Sequence, residues 1–319
     1  MRLDDVEGDN SGIEDRRGGG GGRRSGGGSI FGSGGFPFPS GGGGGRGKKG
    51  GIGVVVIMAI ALFVGKAMLG GGGGGGGDDG GFGDILGQLG GGTPAALNQD
   101  APTEAAGGAK DAQYEFLAKV RTVLNDYWGS EFKASGQTFQ PAGLVIFDAP
   151  TQTGGCGVGT PEAGPFYCPG DSKMYIDFGF YAKLEKQLGF NGDFAMAYVV
   201  AHEYGHHIQN LLGINQQVQD DSRGASQNEV NALSVKTELQ ADCFAGAWAK
   251  SAYEADRLES GDFDEAIGAA KAVGDDAIQL QTRGTVDKSE WTHGSSADRQ
   301  KWFKTGYETG DPGKCNTFG

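Results

Sequence analysis

Apolar residues recur with helical spacing through most of the chain beyond residue 111. Within the segment 112–124, Phe116, Val120 and Leu124 fall on one side of a helix, because successive turns bring residues three to four apart onto one face. Similar spacing predicts further helices over residues 194–212, 227–252, 263–273 and 275–283, and a last helix that begins at Ser295 or Ser296.

Two short runs rich in β-branched and aromatic residues predict strands at residues 143–147 and 173–178. They lie on either side of a loop rich in glycine and proline. With helices in the majority, this order of elements predicts an α+β fold over residues 111–319, mainly helical with a small sheet. That length is sufficient for one domain with a sizeable core.

The first third of the chain has a different composition. More than half of the 65 glycines precede Thr93. Segments with so few large apolar residues cannot bury a core, and glycine runs behave as flexible linkers. We therefore predict a disordered glycine-rich segment at residues 1–50 and a flexible linker rich in glycine and alanine at residues 70–110.

An apolar block at residues 51–69 interrupts this region. It is about long enough to span a bilayer core, which takes roughly 17–25 residues. Basic residues precede it and two aspartates follow, so the positive-inside rule predicts one transmembrane helix with a cytoplasmic N-terminus. A cleaved signal peptide would begin earlier, and a buried soluble helix would not have such glycine-rich surroundings. We expect single-pass attachment to the bacterial inner membrane, with residues 111–319 periplasmic or otherwise extracytoplasmic.

The most informative polar pattern lies within the second predicted helix. His202 and His206 are four residues apart, so their rings share one helix face and can converge on a single ion. Zinc is the metal that such a pair typically binds. Glu203, directly after the first histidine, suits a general base that takes a proton from zinc-bound water.

The surroundings of this motif favour zinc over a chance match. The apolar run 194–201 leads into it, Asn191 or Asp193 can cap the start of the helix, and Gly213 can end it. Burial of two histidines and a carboxylate without partners would be costly, and a metal removes that cost.

A catalytic zinc site needs a third protein ligand. Glu238 is the best candidate, and Asp242, one turn later on the next predicted helix, can accept the other ring N–H of a ligand histidine. The alternative is that both acids lie on a solvated face, which their small and apolar neighbours disfavour. His207 lies about 100° round the helix from its neighbour, and the distance of His293 along the chain leaves its position open.

All four cysteines follow the proposed membrane segment, where thiols tend to pair. Cys156 and Cys168 bracket the glycine- and proline-rich loop, so a local bridge is the simplest connectivity and leaves Cys243 with Cys315. Sequence alone permits three pairings.

Three segments resemble a known family. They read AHEYGHHIQ at 201–209, ELQADC at 238–243 and THGSS at 292–296. With the opening MRL and EDRR at 14–17, they are similar to the bacterial putative neutral zinc metallopeptidases, the YpfJ-like group, and the resemblance extends over almost the whole chain.

By analogy with gluzincin peptidases, this resemblance implies particular roles for five residues. His202, His206 and Glu238 would bind one Zn²⁺ per chain, Glu203 would be the base, and Asp242 would support a ligand histidine. The expected function is a membrane-anchored zinc metallopeptidase that hydrolyses peptide bonds in a peptide or protein substrate. The formal net charge of −13 argues against nucleic acid as a partner, since phosphate binding needs a basic face.

Two roles near the expected site have alternatives. His293, on a predicted loop, is either a donor to the oxyanion that forms during hydrolysis or a surface histidine. The strand at 143–147 is either a sheet edge that binds an extended substrate or an ordinary core strand.

The function itself also has an alternative, a zinc-stabilised, non-catalytic tethering or adaptor domain of the cell envelope. Glu203 favours the enzyme, because a purely structural zinc site has no need of a base.

Overall fold

The structure, a computed structural model, describes residues 1–18, 104–179 and 192–319. Within these ranges it is mainly helical, with a small sheet, as predicted for an α+β protein. In chain order, the strands and α-helices are β1 (Ile13–Asp15), α1 (Glu104–Ala134), β2 (Gly143–Phe147), β3 (Thr151–Gln152), β4 (Val158–Gly159), β5 (Phe166–Cys168), β6 (Lys173–Asp177), α2 (Asp193–Leu211), α3 (Ile214–Asp221), α4 (Gln227–Glu254), α5 (Asp262–Ala272), α6 (Asp275–Arg283) and α7 (Ser296–Thr309).

The helix starts follow local signals in the sequence. Ser226 and Glu229 form a reciprocal capping box at the start of α4, and the Ser295 side chain caps α7. The start of α2 differs from the prediction, because its N-cap is Gly192 and no side chain caps it. Asp193 is the first helical residue, where a carboxylate interacts favourably with the helix dipole.

Helix α1 begins earlier than predicted. Residues 104–110, which we predicted to be flexible linker, are helical. Once a helix has nucleated, each added residue gains a hydrogen bond for little further ordering, and here this outweighs the low helix propensity of Gly107 and Gly108.

Four strands form the main sheet in the order β1-β2-β6-β5. β1 and β6 pair with β2 in parallel, and β5 pairs with β6 in the antiparallel sense. β2 is therefore an interior strand, and the possibility that it forms an edge for an extended substrate is wrong. Its run Leu144–Phe147 is fully apolar and buried, which is typical of a strand covered on both faces.

The first eighteen residues pack against this domain, although we predicted that they belong to a disordered segment. Met1 and Leu3 are buried, and Ile13 pairs with Leu144 in the sheet. The Arg2 backbone N–H donates to the Arg257 carbonyl at 2.7 Å. The prediction of disorder from composition is wrong for these residues, because a few apolar and charged side chains are enough to bind a short segment to an existing core.

The ammonium group of Met1 lies in a cluster of carboxylates. It is 2.7 Å from Asp193, 2.9 Å from Glu259 and 3.2 Å from Asp262. Burial alone would lower its pKa, but the hydrogen bonds from these acids outweigh burial and raise the pKa to about 10. A cation therefore sits against the first turn of α2.

Both disulfide bonds match the simplest predicted connectivity. Cys156 pairs with Cys168 across the loop between β3 and β5, and Cys243 of α4 pairs with Cys315 in the C-terminal tail. The second bond closes a separation of 72 residues and fixes the tail against α4.

Helices α4 and α7 cross at two glycines. A Cβ atom on Gly246 would stand 2.0 Å from the Phe303 carbonyl oxygen, and one on Gly306 would stand 1.9 Å from the Cys243 carbonyl oxygen. Only glycine permits this backbone contact, which brings α7 close to the buried face of α4.

No helix within the described ranges is long and apolar enough to cross a membrane. The predicted span at residues 51–69 and most of its glycine-rich flanks lie outside those ranges.

Candidate metal and catalytic site

A glycine in the HEYGH motif brings α2 against α4. A Cβ atom on Gly205 would stand 2.9 Å from the Ala241 Cα atom, so a larger residue would force the helices apart. This close approach lets Glu238 on α4 reach the face of α2 that carries His202 and His206. The two histidines share that face because they are one helical turn apart.

The three predicted ligands meet at one point. His202 Nε2 is 3.1 Å from Glu238 Oε2, and His206 Nε2 is 3.4 Å from Glu238 Oε1. A tetrahedral ion with bonds of about 2.0–2.1 Å separates its ligand atoms by about 3.3–3.4 Å. The donor types and their spacing therefore fit a zinc ion.

Hydrogen bonds orient each histidine so that Nε2 faces this point. His202 Nδ1 donates to Asp242 Oδ1 at 2.8 Å, and His206 Nδ1 donates to Gln209 Oε1 at 2.9 Å. Gln209 must present its oxygen to His206, because its Nε2 already donates to the Thr237 carbonyl at 2.7 Å. Such partners fix the tautomer of a ligand histidine.

The charges of the site are strongly coupled. Burial would lower the pKa of His202, but the neighbouring Asp242 carboxylate outweighs burial and raises it to about 9. Burial would raise the pKa of Glu238, but the two histidines hold it well below its usual range. Glu238 is therefore an anion, as a metal ligand requires.

Glu203 lies beside these ligands and is 3% exposed. Its Oε2 atom is buried and has no hydrogen-bond partner among the described residues. Burial raises the pKa of this carboxyl group. An unpaired buried carboxylate oxygen is costly for folding, so its presence here points to use by a water molecule or substrate.

His207 faces a different side of α2 from His206, as its helical position indicated. Its Nδ1 atom is 3.0 Å from the Tyr167 hydroxyl, and its Nε2 atom donates to the Gln140 carbonyl at 2.7 Å. The histidine thus connects the motif helix to β5 and to the loop before β2.

His293 lies in the segment between α6 and α7 and is held by Asp275. One carboxylate oxygen accepts the backbone N–H groups of Thr292, His293 and Gly294 at 2.8, 2.7 and 2.9 Å. The other is 3.1 Å from His293 Nδ1. The histidine side chain is only 16% exposed, and burial would lower its pKa, but Asp275 and the charge of Glu238 raise it. His293 is thus mostly buried within the electrostatic reach of the site.

The chain matches, over residues 1–318, the family described as "Putative neutral zinc metallopeptidase". The chain belongs to this family. It is 45% identical over 236 residues to the uncharacterized protein YpfJ of Escherichia coli K12, covering 74% of this chain and 81% of that protein. It is also 49% identical over 175 residues to the uncharacterized protein Rv2575 of Mycobacterium tuberculosis H37Rv, covering 51% of this chain and 58% of that protein. No solved structure matches the chain.

Membership of this zinc metallopeptidase family implies zinc and a peptide or protein substrate. Four residues that support the candidate site were not predicted from the sequence: Tyr198, Gln209, Asp275 and Arg299. Tyr198 and Gln209 had a usable signal, because they lie four residues before His202 and three after His206 on one helix. Asp275 and Arg299 had none, because they reach the site from other elements.

Proposed function

We propose that this protein is a zinc-dependent peptidase that hydrolyses peptide bonds, with one zinc ion per chain held by His202, His206 and Glu238. The observation that carries the proposal is Glu203, whose buried Oε2 atom lacks a partner beside three oriented donors. Two imidazoles and one carboxylate leave a coordination position for water, as in catalytic rather than structural zinc sites.

Glu203, His293 and Asp275 each have a role in this reaction. Zinc bound at the site supplies a Lewis acid that polarises the peptide carbonyl and lowers the pKa of water. Glu203 accepts the proton of the attacking water and passes it to the leaving amine, and a pKa raised by burial suits both transfers. His293 donates from Nε2 to the developing oxyanion, while Asp275 holds Nδ1.

A tethering or adaptor domain would explain the three ligands but not Glu203. A structural site is more stable when its buried carboxylates are all paired, and Glu203 would serve such a site better as an apolar residue. The peptidase therefore accounts for more of the observed side chains.

The deciding experiment compares Glu203→Gln with His202→Ala in the full chain purified in detergent. Zinc is measured by mass spectrometry, and turnover is measured on a mixture of quenched fluorescent peptides. We expect one zinc in the parent and in Glu203→Gln, loss of zinc in His202→Ala, and a fall in turnover of about 10²–10⁴-fold in Glu203→Gln.

Two results would contradict the proposal. Unchanged turnover in Glu203→Gln would exclude Glu203 as the base. The adaptor would be favoured if the parent protein holds zinc but cleaves no peptide, and if Glu203→Gln binds zinc and partner proteins as the parent does.

We also propose that the catalytic domain lies outside the cytoplasm, attached through residues 51–69 to the bacterial inner membrane. Its two disulfide bonds are typical of oxidising compartments and support this location. Residues 1–18 pack on the same domain, and a single span between them and residue 104 would separate β1 from β2. The proposal therefore places residues 1–18 on the same side of the membrane as the catalytic domain, so residues 51–69 would attach the protein without crossing the bilayer as a single span. It replaces both the cytoplasmic N-terminus and the single-pass topology of our sequence prediction.

A further inference from the structure

A buried arginine from α7 borders the candidate zinc site. Arg299 is 3% exposed and donates from Nε to Asp242 Oδ2 at 2.8 Å and from Nη2 to Asp242 Oδ1 at 3.0 Å. Its Nη1 atom donates to the Val273 carbonyl, at the end of α5, at 3.1 Å. The planar guanidinium thus grips both oxygens of one carboxylate and is itself fixed to a third helix.

The orientation of Asp242 depends on this grip. Oδ1 also accepts the Tyr198 hydroxyl at 2.6 Å and His202 Nδ1 at 2.8 Å. A carboxylate that serves two other donors could rotate between them, but a two-point bond with arginine fixes its plane. The direction of the His202 ring, and hence of Nε2, then follows from Arg299.

Arg299 places a positive charge beside the proposed ligands. The guanidinium also lies 3.8 Å from Glu238 Oε2 and 3.4 Å from His202 Nε2, so it borders two of the three ligands.

We propose that Arg299 is a positioning residue of the zinc site, which acts through Asp242 to hold His202 in its ligand orientation before the metal binds. The inference rests on the proposed zinc site and not on peptide hydrolysis. The backbone contact between α4 and α7 lies close to this pair in the chain, because Gly246 is one turn after Asp242 and Gly306 is two turns after Arg299.

The test measures zinc affinity in the full chain by competition with a chromophoric chelator, without substrate. The variants are Arg299→Lys, Asp242→Asn and the two combined, with Arg299→Gln as a second replacement if the lysine variant does not fold. Arg121→Lys is the matched control, because Arg121 is also 3% exposed but donates to the Ala142 carbonyl next to β2. Thermal unfolding of the metal-free forms is recorded in parallel.

We expect the zinc Kd to rise about 10–100-fold in Arg299→Lys, as is usual when the group behind a ligand is lost. Arg121→Lys should leave the Kd unchanged even where it lowers the thermal midpoint. If Arg299 acts through Asp242, the double variant should be little weaker than Asp242→Asn alone.

Three results would overturn the inference. The zinc Kd of Arg299→Lys could equal that of the parent, or Arg121→Lys could raise the zinc Kd as much as Arg299→Lys does. The effects of the Arg299 and Asp242 substitutions on the zinc Kd could also be additive. A parent that binds no zinc would instead defeat the proposed metal site. If the zinc Kd values change as expected but the parent cleaves no peptide, only the proposed peptidase activity would be contradicted.

Discussion

Each histidine of the HEYGH motif has a different kind of support. His206 relies on Gln209 from its own helix, whereas His202 relies on Asp242 from α4 and, behind it, Arg299 from α7. A partner on the same helix forms as soon as the helix does. A partner on another helix forms only when the domain closes, so the geometry of His202 is a property of the complete fold.

At the same scale, His293 provides a test of oxyanion stabilisation. Replacement of His293 by alanine should lower kcat by about 10²–10³-fold with zinc content and KM nearly unchanged, because a donor to the oxyanion acts mainly in the transition state. Asp275→Asn should show a smaller loss, since it removes the charge behind Nδ1 and leaves the ring in place. Steady-state kinetics with zinc analysis measures both.

His293 is mostly buried, so the alternative of a surface histidine is wrong, and the remaining alternative is a purely structural role. The variants His293→Ala and Asp275→Asn would then keep parental kcat, and any effect would appear only in thermal stability. Lys301→Ala, an exposed change on α7, is the control for small effects at the surface.

Helix α4 is the element on which most of the site depends. It carries Glu238 and Asp242, it meets α2 at Gly205 and α7 at Gly246, and Cys243 ties it to the C-terminal tail. Ridges of side chains normally hold helix axes 8–10 Å apart. Glycine at the crossings permits backbone contact, so short polar side chains can bridge between helices.

Gly306→Ala should therefore destabilise the protein by about 1–3 kcal/mol or prevent folding, because the new methyl group would overlap the Cys243 carbonyl at the crossing. Gly268→Ala is the matched control. Gly268 also lies within a helix, α5, and nothing is within 4 Å of the position of its Cβ, so alanine should stabilise by up to about 1 kcal/mol. Urea unfolding of both variants measures the difference, and equal stabilities would contradict the described crossing.

For the whole molecule, the notable arrangement is the return of residues 1–18 to the domain that carries the HEYGH motif. β1 extends the sheet next to β2, and the Met1 ammonium group rests against Asp193 at the start of the motif helix. Arg2 and Asp256 form an ion pair at 2.8 Å on the surface, with side chains 48% and 85% exposed. A crosslink between these two positions therefore tests whether residues 1–18 and the domain lie on the same side of the membrane.

Replacing Arg2 and Asp256 with cysteine should allow a short, membrane-impermeant bismaleimide to join them within one chain in intact membranes. All four native cysteines are in disulfide bonds, so no free thiol competes. After cleavage at a protease site inserted at residues 41–45, the two fragments should stay linked on a denaturing gel. Each single-cysteine variant should release them.

A cysteine at position 2 that reacts only with reagents added from the cytoplasmic side would contradict the same-side arrangement. In that case residues 1–18 would be separated from the catalytic domain by the membrane, as the charge pattern around residues 51–69 first indicated.

Local spacing was enough to predict the parts of this protein that form within one element. The i, i+4 pairs of α2 and α4, the capping of α7 by Ser295, one of the two serines predicted for it, and the bridge across the loop from Cys156 to Cys168 all depend on residues close together in the chain. Helical geometry places such residues on one face regardless of the rest of the molecule. This is why the ligand candidates, the candidate base and most helices could be predicted from the sequence.

Contacts between distant elements required the folded molecule. Arg299 and Asp242 are 57 residues apart, Ile13 pairs with Leu144, and β2 is interior because β1 covers its other side. No periodicity connects these residues, since their proximity depends on how closely helices cross and on the order of strands. The tertiary fold therefore decided which side chains support the site and where the N-terminal segment lies.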